Sequence, residues 1–173
     1  FTFYGGIYRD VNLVLVSKNH FDLDFYGAPG IAITPTVCGN ECKVKVDGYI
    51  SGEGEVKVTI FDRDGNKVAE GAGGEEIAIA NARLWNGTED PYLYSAKADL
   101  VCGGKVCDSI TKKFGFRSFA IDPKKGFILN GRSYPLRGVC RHQDRPGVGN
   151  ALTKQMHDED MALLREMGAN TVR

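Results

Sequence analysis

The chain has 173 residues, enough for one domain of ordinary size and part of a second. Hydrophobic residues make up 42% and charged residues 25%, the profile of a soluble globular protein. Lysine plus arginine equals aspartate plus glutamate at 22 each, so no net field gathers nucleic acid or an anionic membrane, and neither is expected as a partner. No apolar run approaches membrane-spanning length or the pattern of a secretory leader, which leaves the compartment open.

Residues 1–16 hold Phe3, Ile7, Val11, Leu13, Leu15 and Val16 in partial alternation, which predicts one or two strands without partners nearby in sequence. His20-Phe-Asp-Leu-Asp-Phe-Tyr-Gly-Ala-Pro-Gly30 reads as a linker with aromatic anchors, and Pro29-Gly30 marks a turn and a domain boundary.

From Ile31 to Arg117 the pattern is β throughout. Ile31, Ile33 and Val37 open it, and Val44, Val46, Tyr49 and Ile50 form a second strand with a bulge expected at Asp47-Gly48. Val56–Phe61 alternates cleanly, Asp62-Arg-Asp-Gly65 turns, and Lys67–Glu70 returns. Ile77, Ile79 and Ala82–Trp85 make a further strand, and Asp90–Val101 runs through Gly103-Gly104 into Val106–Phe116. About seven short strands divided by Gly, Asp and Asn turns describe an immunoglobulin-like β-sandwich, here without a cysteine pair bracketing Trp85. Its carboxylates, Glu53, Glu55, Asp62, Asp64, Glu75 and Glu76, fall on turns and outward positions. Gly71-Ala-Gly-Gly-Glu-Glu76 lacks the Lys-Ser/Thr and the following helix that a phosphate loop needs.

Five cysteines leave at least one unpaired, which argues against a disulfide framework, and all five are expected to be small, mostly buried side chains. Cys102 and Cys107 could face each other across a hairpin, and whether they pair is open. Cys38 and Cys42 have no second ligand pair, which argues against zinc, and no cofactor is identifiable. His20 and His157 stand isolated, the latter expected to point into solvent.

Gly126–Leu129 begins a hairpin whose Asn130-Gly131 turn accepts positive φ at both central positions, with Ser133–Val139 as the returning strand. That strand delivers Arg141, His142, Gln143 and Asp144 at its end, a knot of titratable groups of the kind α/β enzymes place at strand ends. Met156, Leu163, Leu164 and Met167 then recur at helical spacing. Thr153 is the expected N-cap and Gly168 the left-handed C-terminal stop. Asp158, Glu159 and Asp160 are placed where the helix dipole tolerates them. Asn170–Arg173 starts a new strand. The unit reads as strand–loop–helix–strand, cut off in mid-strand inside a larger domain.

Phe114-Gly-Phe-Arg117, Gly126-Phe-Ile-Leu-Asn-Gly131, Arg137-Gly-Val139, Arg141-His142 and Met167-Gly-Ala-Asn-Thr-Val-Arg173 follow one another in order. Together they resemble the successive signatures of glycoside hydrolase family 2, which holds β-galactosidases, β-glucuronidases and β-mannosidases. The resemblance implies a mainly β interior fragment. Residues 1–28 would end a jelly-roll sugar-binding domain and its linker. Residues 29–118 would form the immunoglobulin-like sandwich, and 119–173 the first βα unit of a truncated (β/α)8 TIM barrel. Gly5-Gly-Ile-Tyr-Arg9 with Asp10-Val-Asn-Leu13 resembles the last jelly-roll strands, and the alternative, a first strand of the sandwich, stays open. Leu84-Trp85 and Pro91-Tyr-Leu-Tyr94 resemble the family's sandwich, where the Trp and Tyr pack in the core.

On this resemblance His142 donates to a sugar hydroxyl, Asp144 accepts from a second one, and Arg173 lies beside the nucleophilic carboxylate and keeps it ionised. Arg141 supports the site by ion pairing. Cys140 departs from the family, where asparagine is common. The two glutamates that carry out the double displacement would lie on later barrel strands, and Glu159 and Glu166 on the first helix cannot replace them. These 173 residues therefore contain no catalytic residue and are expected to be inactive alone. The parent would be a retaining exo-β-glycosidase acting on terminal β-linked sugars, with galactosides favoured and glucuronides the alternative within the family. Its partner would be a carbohydrate substrate, and a homo-oligomer is compatible with the reading. A different class, a free-standing immunoglobulin-like binding module with a barrel-like tail, is the competing hypothesis.

Overall fold

In the computed structural model, which describes residues 5–39 and 41–173, the alternation of apolar and polar residues resolves into fourteen short strands and one helix among the described residues. The chain divides into two compact units. The larger, Leu15–Ser133, contains β1 (His20–Phe21), β2 (Ile31–Cys38), β3 (Glu41–Gly48), β4 (Ile50–Ser51), β5 (Glu55–Phe61), β6 (Lys67–Ala72), β7 (Glu76–Ile79), β8 (Tyr94–Cys102) and β9 (Lys105–Phe114). One sheet has the order β2-β3-β7 and the other β6-β5-β8-β9, all antiparallel. These seven strands form the expected immunoglobulin-like sandwich.

Period-two patterning decides which side chains meet between the sheets. Val44 and Val46 of β3 are buried while Lys43 and Lys45 stay partly exposed, and Val58 and Ile60 of β5 and Ile77 and Ile79 of β7 follow the same rule. On β8 the buried set is Tyr94, Ala96, Ala98 and Leu100. The two alanines leave room for an aromatic cluster in which Tyr94 meets Phe114 and Phe116 at 5.8 and 5.4 Å between ring centroids. Each fully buried Val, Ile, Leu or Phe contributes about 1.5–3 kcal/mol.

The linker is tied to this core. Phe21 is 1% exposed, β1 pairs with β4, and Phe25 stacks on Tyr49 at 4.0 Å. No bulge forms at Asp47-Gly48. Instead β3 pairs with β2 through Gly48, and Tyr49 then exchanges backbone hydrogen bonds with Gly30 and Asp22. The glycine-rich stretch after β6 is a corner between sheets, where the Gly73 N–H donates to Val56 and the Gly74 N–H to Val46. A Cβ on Gly73 would sit 2.7 Å from Cβ of Val56, so this corner needs glycine.

Other expectations are corrected. The strand expected over residues 77–85 stops at Ile79, because Asn81 turns the chain at φ 52° and only an isolated bridge joins Leu84 to Phe116. Tyr92 and Tyr94 lie in the core, but Trp85 is half-buried with the Arg117 guanidinium 5.1 Å above its ring. Of the cysteines Cys42 is buried, Cys38 and Cys140 are exposed, and Cys102 and Cys107 form a disulfide across the β8–β9 turn.

The same unit ends in a three-stranded antiparallel sheet of β10 (Phe119–Asp122), β11 (Gly126–Leu129) and β12 (Arg132–Ser133). Asn130 and Gly131 take φ of 49° and 79°, as the turn dipeptide predicts. The returning strand, expected to reach Val139, leaves the hairpin after Ser133, since Pro135 has no N–H to extend the ladder.

The smaller unit comprises Phe1–Val14 and Tyr134–Arg173. Among the described residues the strands expected at the start are not formed. Phe3 lies outside the described residues, and Ile7, Val11 and Leu13 are 85%, 78% and 90% exposed in a segment without strand pairing. Farther on, β13 (Gly138–Val139) and β14 (Thr171–Val172) pair in parallel, joined through α1 (Lys154–Glu166), the βα arrangement that opens a barrel. The Thr153 hydroxyl accepts from the Met156 N–H at 3.4 Å, and Gly168 has φ 85°, so both helix ends are as expected. No acidic residue sits in the first turn of α1, and Asp158, Glu159 and Asp160 are held by cations rather than by the dipole.

Candidate functional site

The smaller unit carries the residues singled out for chemistry, and its backbone explains their placement. Asn170 joins the two strands at their start: its Oδ1 accepts from the Arg137 N–H at 2.7 Å and its Nδ2 donates to the Pro135 carbonyl at 2.9 Å. Register then sets Val139 opposite Val172. The Arg173 N–H donates to the Val139 carbonyl at 2.9 Å and the Arg141 N–H to the backbone oxygen of Arg173 at 3.1 Å. Residues 140, 141 and 173 thus emerge together at the C-terminal end of a parallel pair, the end where barrel enzymes bind substrate. There the Arg173 Nη1 donates to Sγ of Cys140 at 3.6 Å. Both side chains are exposed, as are His142 and Asp144.

Arg141 turns the other way, toward α1. Its Nε donates to Oδ2 of Asp160 at 2.8 Å, its Nη2 contacts the same oxygen, and Nη2 also lies 3.0 Å from Nδ1 of His157. His157 is therefore half-buried and partnered, not directed into solvent as expected. A guanidinium only donates, so Nδ1 accepts and the fitting tautomer carries its proton on Nε2.

Arg145, which the sequence reading left aside, completes the network. Its Nη1 meets Oε2 of Glu159 at 2.8 Å, its Nη2 donates to the Met156 carbonyl at 2.9 Å, and the same nitrogen contacts Oδ1 of Asp160. Hydrogen bonds from Arg145 first and Arg141 second hold the Asp160 carboxyl below the usual carboxylate range. Arg145 and then Gln155 do the same for Glu159, and Asp160 and Glu159 together raise the Arg145 guanidinium. Asp160 had a legible signal: with Met156, Leu163, Leu164 and Met167 it lies on the helical stripe read as apolar. A charge in such a stripe needs a partner.

Chemically, the strand ends offer a donor ring (His142), an acceptor (Asp144) and a fixed positive charge (Arg173). Glu159 and Asp160 are engaged by arginines and are not disposed as a reacting pair. Among the described residues no group of three or more His, Cys, Asp or Glu side chains is arranged to hold a metal ion.

Residues 30–117 match the family model described as Glycosyl hydrolases family 2, and residues 120–173 match the model for the TIM barrel domain of that family. The whole chain is 42% identical to 27% of a β-glucuronidase from Bacteroides fragilis. Of the chain, 98% aligns at 30% identity with 24% of a β-galactosidase from Thermoanaerobacter pseudethanolicus. The chain thus spans about a quarter of the length of these relatives. Among solved structures, an FMN-binding β-glucuronidase from Facaelibacterium prausnitzii L2-6 superposes with a TM-score of 0.94 at 39% identity, over 100% of this chain and 28% of its own.

Proposed function

Because the chain belongs to glycosyl hydrolases family 2, we propose that it is part of a retaining β-glycosidase whose substrate is a terminal β-glucuronide. The observation that supports it is the parallel β13–β14 pair with Arg141 and Arg173 at its C-terminal end, in a chain 42% identical throughout to a β-glucuronidase. Gln143-Asp144 does not separate the galactoside favoured at first from the glucuronide, and the similarity to the Bacteroides fragilis relative is what favours the glucuronide here.

In the proposed reaction one carboxylic acid protonates the leaving oxygen and a carboxylate attacks the anomeric carbon. Water then releases the sugar from the covalent intermediate. His142 donates to a sugar hydroxyl and Asp144 accepts from another, contacts that contribute several kcal/mol, as an order of magnitude, when they tighten in the transition state. Arg173 keeps the attacking carboxylate ionised. Retention requires two carboxyl groups about 5–5.5 Å apart, and these 173 residues supply neither. We propose that they are inactive by themselves.

The test is hydrolysis of chromogenic β-glucuronide, β-galactoside and β-mannoside by these 173 residues and by the natural-length protein that contains them. The reading expects turnover of the glucuronide by the longer protein alone. Preference for the galactoside would support the second reading, favoured by the Thermoanaerobacter relative. Inertness on all three would favour a non-catalytic binding module.

A further inference from the structure

Arg141 and Arg145 stand immediately before and after His142, Gln143 and Asp144. Both guanidiniums end on one carboxylate, Arg141 on Oδ2 of Asp160 and Arg145 on Oδ1. Each is also fixed by a second acceptor on α1: Nδ1 of His157 for Arg141, and the Met156 carbonyl and Glu159 for Arg145. Beyond Arg145 the backbone closes on itself, since Arg145 and Gly149 exchange hydrogen bonds at 3.1 and 2.9 Å. The three residues between the arginines thus have both ends pinned to the same side chain. Pinning both ends of so short a segment removes most of its backbone freedom.

The exposure of these groups separates them from an ordinary surface pair. The Arg141 and Asp160 side chains are 12% and 23% exposed, whereas Lys154 and Asp158, paired on the same helix, are 87% and 62% exposed. A tie between helix and strand needs one arginine. Two arginines that bracket the substrate-facing residues do more, because they set the position of what lies between them.

Resting on the glycosidase reading above, we infer that Asp160 is a positioning residue: through Arg141 and Arg145 it sets where His142 and Asp144 stand at the strand end. It acts through these arginines and does not itself touch the sugar.

The experiment uses the natural-length protein containing this chain, with the variants D160N, D158N, H142A and H142A/D160N. D160N leaves one guanidinium without a charged partner, and kcat/KM on the preferred β-glycoside is expected to fall by about 10²-fold, the scale of a 1 Å misplacement at a site. D158N is expected to match wild type. H142A/D160N is expected to lose less than the product of the two single losses, since the His142 contact that D160N misplaces is already gone and only the Asp144 contact is left to lose. Losses that multiply in the double variant, or a D160N enzyme with wild-type kcat/KM, overturn the inference. Where D160N does not accumulate as folded protein, D160E takes its place in the same cycle. If the wild-type protein hydrolyses no β-glycoside, the functional reading fails and hydrogen exchange decides the clamp. Faster exchange at residues 142–149 in D160N than in D158N upholds it, and equal exchange overturns it.

Discussion

Asn130 donates its side-chain amide to the Trp85 carbonyl at 2.9 Å and to Oδ1 of Asn86 at 2.7 Å, while its own Oδ1 accepts from the Ser118 N–H at 2.8 Å. One turn residue, at φ 49°, thus joins the β11–β12 hairpin to the sandwich. Asn130→Ala removes all three bonds and leaves a residue poorly suited to positive φ. We expect a loss of about 2–3 kcal/mol, read from the urea midpoint, with Asn130→Gly milder because it keeps the backbone angle. Equal losses would show that the angle contributes little.

Core packing makes a sharper contrast. Leu100 is 0% exposed, while Leu163 on α1 is 62% exposed. Leu100→Ala should cost about 2–5 kcal/mol and Leu163→Ala no more than about 0.5 kcal/mol in the same thermal or urea melts.

Acid should loosen the α1 network. Asp160 and Glu159 have folded-state pKa values below their unfolded ones, so their contribution is fully present above about pH 4.5 and is lost as pH falls through the folded values. Hydrogen exchange of α1 between pH 6 and pH 2.5, corrected for intrinsic rates, should show protection falling in the acid range. Arg145→Gln should flatten that fall, and an unchanged profile would refute the assignment.

The Arg141 contact also makes a spectroscopic prediction. With Nδ1 of His157 accepting, nitrogen NMR should find the Nε2–H tautomer in the neutral ring. Arg141→Met should restore a mixture of tautomers.

Legibility in the sequence followed local physics. Val56–Phe61 and the run ending at Val101 alternate over enough residues to declare strands, and Thr153 and Gly168 bound the helix by their own chemistry. Phe119–Asp122 gave no such sign: it is four residues long, mostly exposed, and reveals itself only through its pairing with Gly126–Leu129. Pro135 was the available warning that the returning strand would stop early. The ring, acceptor and charge at the strand ends were legible as residue types, and so were ion pairing by Arg141 and the need of Asp160 for a partner, but which residues would meet was not. Arg145 and Asp160 are fifteen positions apart, and only the path of the intervening loop brings them together.

The register of β5 with β8 has a consequence for how the sandwich forms. Val58 pairs with Ala98, forty positions later in the chain, whereas Cys102 and Lys105 pair across a turn of two residues. Closing a loop ten times longer costs about 2 kcal/mol more in chain entropy. The β8–β9 hairpin can therefore assemble early from its own neighbourhood. The sheet's central seam needs a long-range encounter, the kind of pairing that forms more slowly than a local hairpin.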